Sequence, residues 1–69
     1  MTKNLADEIR AGLQHLIELS YETGHLSAKM EVSPIYAYQN RERQKELINT
    51  RNRVKIQVLG LIEEYWRSA

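Results

Sequence analysis

The chain has 69 residues, no cysteine and a formal net charge of +1. This length allows a single domain, and chains this short bury little surface and are marginally stable as monomers. Because the lack of cysteine excludes disulfides, thiolate metal sites and a cysteine nucleophile, a partner chain is the economical way to bury more surface.

The charge is unevenly distributed along the chain. Residues 1–33 carry three basic and five acidic side chains, whereas residues 34–69 carry seven basic and four acidic ones. The positive charge is concentrated between residues 41 and 55. No stretch has the roughly 20 apolar residues of a membrane span, and the first residues lack the apolar run of a secretory signal. We therefore expect a cytoplasmic protein without membrane contact.

The first predicted element is a helix over about residues 4–23. Asn4 is suited to cap it, because its side-chain oxygen can accept a hydrogen bond from a free backbone N–H. Apolar and small residues recur at spacings of three and four and define one stripe: Leu5, Ile9, Leu13, Leu16, Ile17 and Ser20. Gly24 is placed where a helix commonly ends in a left-handed residue, so residues 24–33 are predicted to be a connector.

The second predicted element is a longer helix over about residues 34–67. Ser33 is a favoured cap, and Pro34 is pre-organised for the first helical position. Only Gly60 interrupts the helix-forming sequence that follows, at a cost of ~1 kcal/mol. The sequence thus predicts an all-α helical hairpin, with a short helix 1 and a long helix 2.

This difference in length predicts self-association. A short helix 1 would leave the apolar C-terminal half of helix 2 exposed, and soluble proteins avoid such surfaces unless they are interfaces. We therefore expect a homodimer that forms a helical bundle. The expected dimer contacts are Leu47, Val54, Val58, Leu59, Leu61, Ile62, Tyr65 and Trp66.

The basic stretch has two interpretations. Its positive side chains could contact the phosphates of a nucleic acid, or they could form a solvated helix face. The residues for nucleic-acid contact are Arg41, Lys45, Arg51, Arg53 and Lys55. Arg51 lies between Leu47 and Val54 on the apolar stripe, so it either extends its charged end to water or fixes the register of a dimer through an ion pair.

No pattern in the sequence indicates catalysis, a cofactor or a metal site. Glu22 and His25 have the Glu-x-x-His spacing of di-metal bundles, but a single four-residue match is weak support. We expect a regulatory or adaptor protein that is not an enzyme and binds another protein. The alternative is a dimeric regulator that binds nucleic acid. A small hairpin that pairs into a bundle is a plan shared by many regulatory proteins of bacteria, plasmids and phages, which is an analogy of architecture.

Overall fold

A computed structural model describes residues 4–68 as two helices, α1 (Leu5–Val32) and α2 (Pro34–Ser68). The helices pack against each other along their lengths and run in opposite directions. The antiparallel arrangement is evident from the close approach of Gly12, near the start of α1, to Val58, near the end of α2. The predicted all-α helical hairpin is confirmed. The molecule measures 50 × 20 × 14 Å, so its two helices lie side by side in a single layer.

Both helices begin at the predicted residues. The side chain of Asn4 accepts a hydrogen bond of 3.0 Å from the backbone N–H of Ala6. The hydroxyl of Ser33 accepts one of 3.2 Å from the N–H of Tyr36, with Pro34 as the first helical residue. Each cap satisfies a backbone donor that has no partner within its helix.

The predicted end of helix 1 is wrong. The helix does not stop at residue 23 but continues through Gly24 to Val32, and no described glycine has a positive φ. The connector predicted over residues 24–33 is therefore reduced to Ser33, which has an extended backbone and also caps α2. A glycine inside a helix costs only ~1 kcal/mol, and burial of Leu26 against α2 exceeds that cost. With 28 and 35 residues, the helices differ in length by less than predicted, although α2 remains the longer one.

The contact between the helices follows a seven-residue repeat, which we call the seam. Its positions alternate at spacings of three and four residues, as in an antiparallel coiled coil. In α1 the seam consists of Leu5, Ile9, Gly12, Leu16, Leu19, Thr23, Leu26 and Met30. In α2 it consists of Ala37, Asn40, Gln44, Leu47, Arg51, Val54, Val58 and Leu61. All of these residues are buried or half-buried, so the repeat describes the core of the hairpin.

Candidate protein-binding surfaces

The structure divides the residues predicted for the dimer interface into two groups. Leu47, Val54, Val58 and Leu61 lie on the seam, and Val54 and Val58 form the buried core together with Leu19 of α1. The premise that helix 1 leaves this half of α2 uncovered is wrong, because α1 is long enough to cover it. These four side chains are occupied by contacts within the chain.

The remaining predicted residues lie beside the seam or at its end. Leu59 and Trp66 are 55% and 73% exposed, and Ile62 packs against the edge of the core. Tyr65 continues the seven-residue spacing but is half exposed near the end of α2. The part of the predicted surface that remains accessible is therefore its outer edge.

Side chains of α1 extend this edge into a broader surface. Leu13 occupies the same position of the seven-residue repeat as Ile62, directly after a seam residue. Ile17 occupies the same position as Leu59 and is 68% exposed. In an antiparallel pair, these positions flank the seam on one side of the hairpin. We define the apolar face as Leu13, Ile17, Ile48, Leu59, Ile62 and Trp66. Helical spacing alone groups Leu13 and Ile17 in one stripe with Leu16, and only the seam shows that they lie beside it.

The overall dimensions indicate that much surface is left uncovered. The chain exposes 5821 Å², whereas a compact monomer of 8.1 kDa exposes about 4500 Å². Its radius of gyration is 15.7 Å, compared with about 11 Å for a compact domain of this length. A single layer of two helices explains both values, because only one side of each helix is covered.

The opposite side of the hairpin is polar. Its exposed charged or polar side chains include His15, Glu18, Glu22, His25, Lys29, Arg43, Glu46, Arg53, Gln57 and Glu64. Acidic and basic residues are interspersed there, as is typical of a solvated helix surface. The two sides of the layer therefore differ in chemistry.

A groove opens on this polar side next to the hairpin turn. Its cavity of about 460 Å³ is lined by His25, Ala28, Lys29, Val32, Ser33 and Tyr36, and we call it the turn groove. The Lys29 Nζ lies 5.9 Å from the centre of the Tyr36 ring, within the range of a cation–π contact. The ring of His25, which lines the groove, stacks on the ring of Tyr21, with ring centres 6.0 Å apart and planes inclined by 5°. The sequence does not reveal the groove, because residues 24–33 are predicted to be a connector and not part of a helix.

The five basic residues proposed for nucleic-acid contact do not form one patch. Arg41, Lys45 and Lys55 are exposed and flank the seam on the side of the apolar face. Arg53 is exposed on the polar side, and Arg51 is half-buried on the seam. None of the five side chains forms an ion pair or a hydrogen bond with another residue in the range 4–68.

Other classes of site have little support in the described residues. No group of three or more histidine, aspartate or glutamate side chains within residues 4–68 could hold a metal ion. Over the same range, neither helix has a stretch both long and apolar enough to cross a membrane. Comparisons with protein-family models, curated proteins and solved structures gave no match.

Proposed function

We propose that this chain is a non-catalytic regulatory or adaptor protein that forms a homodimer and binds a second protein. The observation that carries the proposal is the apolar face, which has four exposed large side chains and two half-buried ones in the described chain. Two hairpins joined through this face would form a four-helix bundle. Their polar sides would then point outward, where a partner protein can reach them.

The size of the apolar side supports self-association. The broad side of the hairpin measures 50 × 20 Å, or roughly 1000 Å², and a standard interface buries about 800 Å² on each partner. The apolar face also has the composition of an interface core, with Trp66 as a large anchor among aliphatic side chains. Lys55 interrupts it, and its long stem can lie on apolar surface while its ammonium group reaches water.

Sedimentation equilibrium with a matched pair of variants tests the dimer. The variants are Ile17→Gln, in the apolar face, and Ile35→Gln, beside the turn. The two isoleucines are similarly exposed, Ile17 at 68% and Ile35 at 73%. Burial of an isoleucine contributes ~1.5–3 kcal/mol, and a symmetric dimer contains each residue twice. We expect Ile17→Gln to weaken dimerisation by about 100-fold or more and Ile35→Gln by less than about 3-fold.

Two results would contradict the dimer. A wild-type chain that remains monomeric at concentrations near 1 mM has no self-association of the expected strength. Equal effects of the two variants would place the interface outside the apolar face. Circular dichroism of each variant at low concentration checks that the hairpin itself is intact.

A dimeric nucleic-acid-binding regulator is the second candidate. The observation that favours it is that Arg41, Lys45 and Lys55 are exposed on one side of α2, free of ion pairs within residues 4–68. Such cations can neutralise phosphates. Arg51 and Arg53 face other directions and would contribute little to the same contact.

Fluorescence anisotropy with labelled random-sequence DNA and RNA separates the two functions. Phosphate binding weakens steeply with salt, whereas an apolar protein interface does not. Binding that is lost at 200 mM salt, and lost on changing Arg41, Lys45 and Lys55 to Gln, would favour the nucleic-acid regulator. No binding at 50 mM salt would exclude it and leave the adaptor.

A further inference from the structure

We infer that the turn groove binds an acidic segment of the protein partner. An apolar side chain of that segment would enter the cavity, and its carboxylates would lie next to Lys29 and Arg43. The inference rests on the proposed adaptor function, since it names the chemistry of the partner, but it does not require the dimer.

The apolar part of the groove is open and ready for a side chain. Its volume of about 460 Å³ lies within the range of about 300–1000 Å³ that is typical of binding pockets. Val32 forms one wall and is 86% exposed, which is a large apolar surface in water. Lys29 and Tyr36, which form a cation–π contact with each other, also line the groove.

The charged part of the groove continues along the polar side. A second, smaller cavity of about 170 Å³ shares His25, Lys29 and Tyr36 with the first and adds Arg43, Glu22, Tyr21, Leu26 and Leu47. Lys29 and Arg43 therefore face one shared space, in which Glu22 is the single carboxylate. This excess of positive charge is complementary to an acidic ligand.

The length of the groove favours a peptide over a small molecule. Its linings extend from Tyr21 to Val32, which is about 16 Å along α1. Five extended residues or three helical turns of a partner would span this distance. A nucleic acid fits less well, because the apolar cavity offers nothing to a phosphate backbone.

The position of the groove makes it compatible with the dimer. The lysine, tyrosine and arginine that line it flank the seam on the side opposite the apolar face. Each copy in a dimer would thus keep its groove free. One dimer would present two identical grooves, which would strengthen binding to a partner with two acidic segments.

Titration with synthetic peptides tests the groove. The probe is an acetylated 12-residue peptide of glutamate with two leucines at helical spacing, added to ¹⁵N-labelled protein. The matched controls replace glutamate by lysine in one peptide and leucine by serine in the other. We expect saturable shifts at Ala28, Lys29 and Tyr36 with the first peptide, and at least about 10-fold weaker binding of both controls.

Two substitutions on opposite sides of the hairpin assign the contact. Lys29→Glu should weaken binding of the acidic peptide by at least about 10-fold, whereas Lys55→Glu should change this affinity by less than about 2-fold. Val32→Gln is exposed enough to leave the fold intact and should also weaken binding. Each of these variants keeps the hairpin's caps and core unchanged.

The outcomes separate this inference from the dimer. No saturable binding of the acidic peptide, or equal binding of the lysine peptide, would overturn the groove while leaving sedimentation results unaffected. Equal effects of Lys29→Glu and Lys55→Glu would place the peptide elsewhere. A monomeric chain that binds the peptide through Lys29 would retain the groove and remove the dimer.

Discussion

The middle of the seam and its end near the turn are held by different interactions. In the middle, Leu19, Val54 and Val58 form an apolar cluster, and Gly12 allows Val58 to approach the backbone of α1. Near the turn, the seam of α2 carries the polar residues Asn40 and Gln44, and Ser27 lies beside the seam of α1. There the amide of Gln44 donates a hydrogen bond of 3.1 Å to the hydroxyl of Ser27 on the other helix.

The two regions therefore have different effects on the fold. Apolar contacts are non-directional, so the middle contributes most of the stability but, apart from the close approach of Val58 to Gly12, tolerates several alignments of the helices. A half-buried polar pair is satisfied in one alignment and loses its partner in others. The end near the turn thus specifies the register of the hairpin, and Ser33 and Pro34 fix the place where the chain reverses.

The largest expected effect is from Leu19→Ala in the middle of the seam. Removal of this buried side chain should reduce the free energy of unfolding by ~2–3 kcal/mol, through lost burial and the cavity that remains. Leu13→Ala is the matched control, because Leu13 lies on the same helix but is exposed beside the seam. It should cost less than ~1 kcal/mol in the monomer.

Urea unfolding followed by circular dichroism measures both values, and the protein concentration must be constant and low because association adds to apparent stability. Equal losses for the two leucines at low concentration would mean that the seam has been assigned to the wrong side of α1. A small loss for Leu19→Ala alone would mean that the cluster is not the core.

Alanine substitutions at Gly12 and Gly24 should change the free energy of unfolding by an intermediate amount and with opposite signs. A Cβ atom at Gly12 would lie 2.6 Å from Cγ2 of Val58, which is too close for carbon atoms, whereas one at Gly24 meets nothing within 4 Å. Gly12→Ala should therefore destabilise by up to ~2 kcal/mol, because overpacking outweighs the gain in helix propensity. Gly24→Ala should stabilise by ~0.5–1 kcal/mol.

A second-site change distinguishes a steric cause from other causes. Val58→Ala removes the methyl group that meets the new Cβ, so Gly12→Ala should become neutral or stabilising in that background. Gly60→Ala is a further control in α2, because nothing lies within 4 Å of its Cβ either. A stabilising effect of Gly12→Ala in the wild-type background would show that the helices are not in close contact there.

Local signals in the sequence predicted the ends that depend on a single side chain. Asn4 and Ser33 act through hydrogen bonds to residues two or three positions away, and Pro34 acts through its own fixed φ, so their effect is visible without tertiary structure. The first residues of both helices could therefore be located from the sequence. The fold class followed from the helical spacing of the apolar residues.

Gly24 shows why the end of α1 could not be predicted in the same way. A glycine favours a helix end only where nothing beyond it gains from remaining helical. Leu26 lies two residues later and is buried against α2, so the helix continues. That contact joins α1 to α2, and no local pattern reports it.

The same limit applies to the candidate surfaces. The helical spacing grouped Val54 and Val58 with Leu59 and Trp66, although the first two are covered by α1 and the others are exposed. Which part of a wide apolar stripe faces its own chain depends on how far α1 extends. The turn groove depends on the same fact, since Ala28, Lys29 and Val32 contribute to it only as helical residues.

The smallest expected effect concerns the polar pair near the turn. A double-mutant cycle of Ser27→Ala and Gln44→Ala should give a coupling free energy of ~0.5–1 kcal/mol, the usual net contribution of one neutral hydrogen bond. Urea unfolding of the four proteins provides the cycle. Asn40→Ala is the control, because the amide of Asn40 donates to the Tyr36 carbonyl within α2 and should not couple to Ser27.

If the pair of Ser27 and Gln44 fixes the register, the double variant should also broaden the amide spectrum, since alignments that the hydrogen bond disfavoured become accessible. A coupling near zero with an unchanged spectrum would leave the register to the turn and to Gly12 alone.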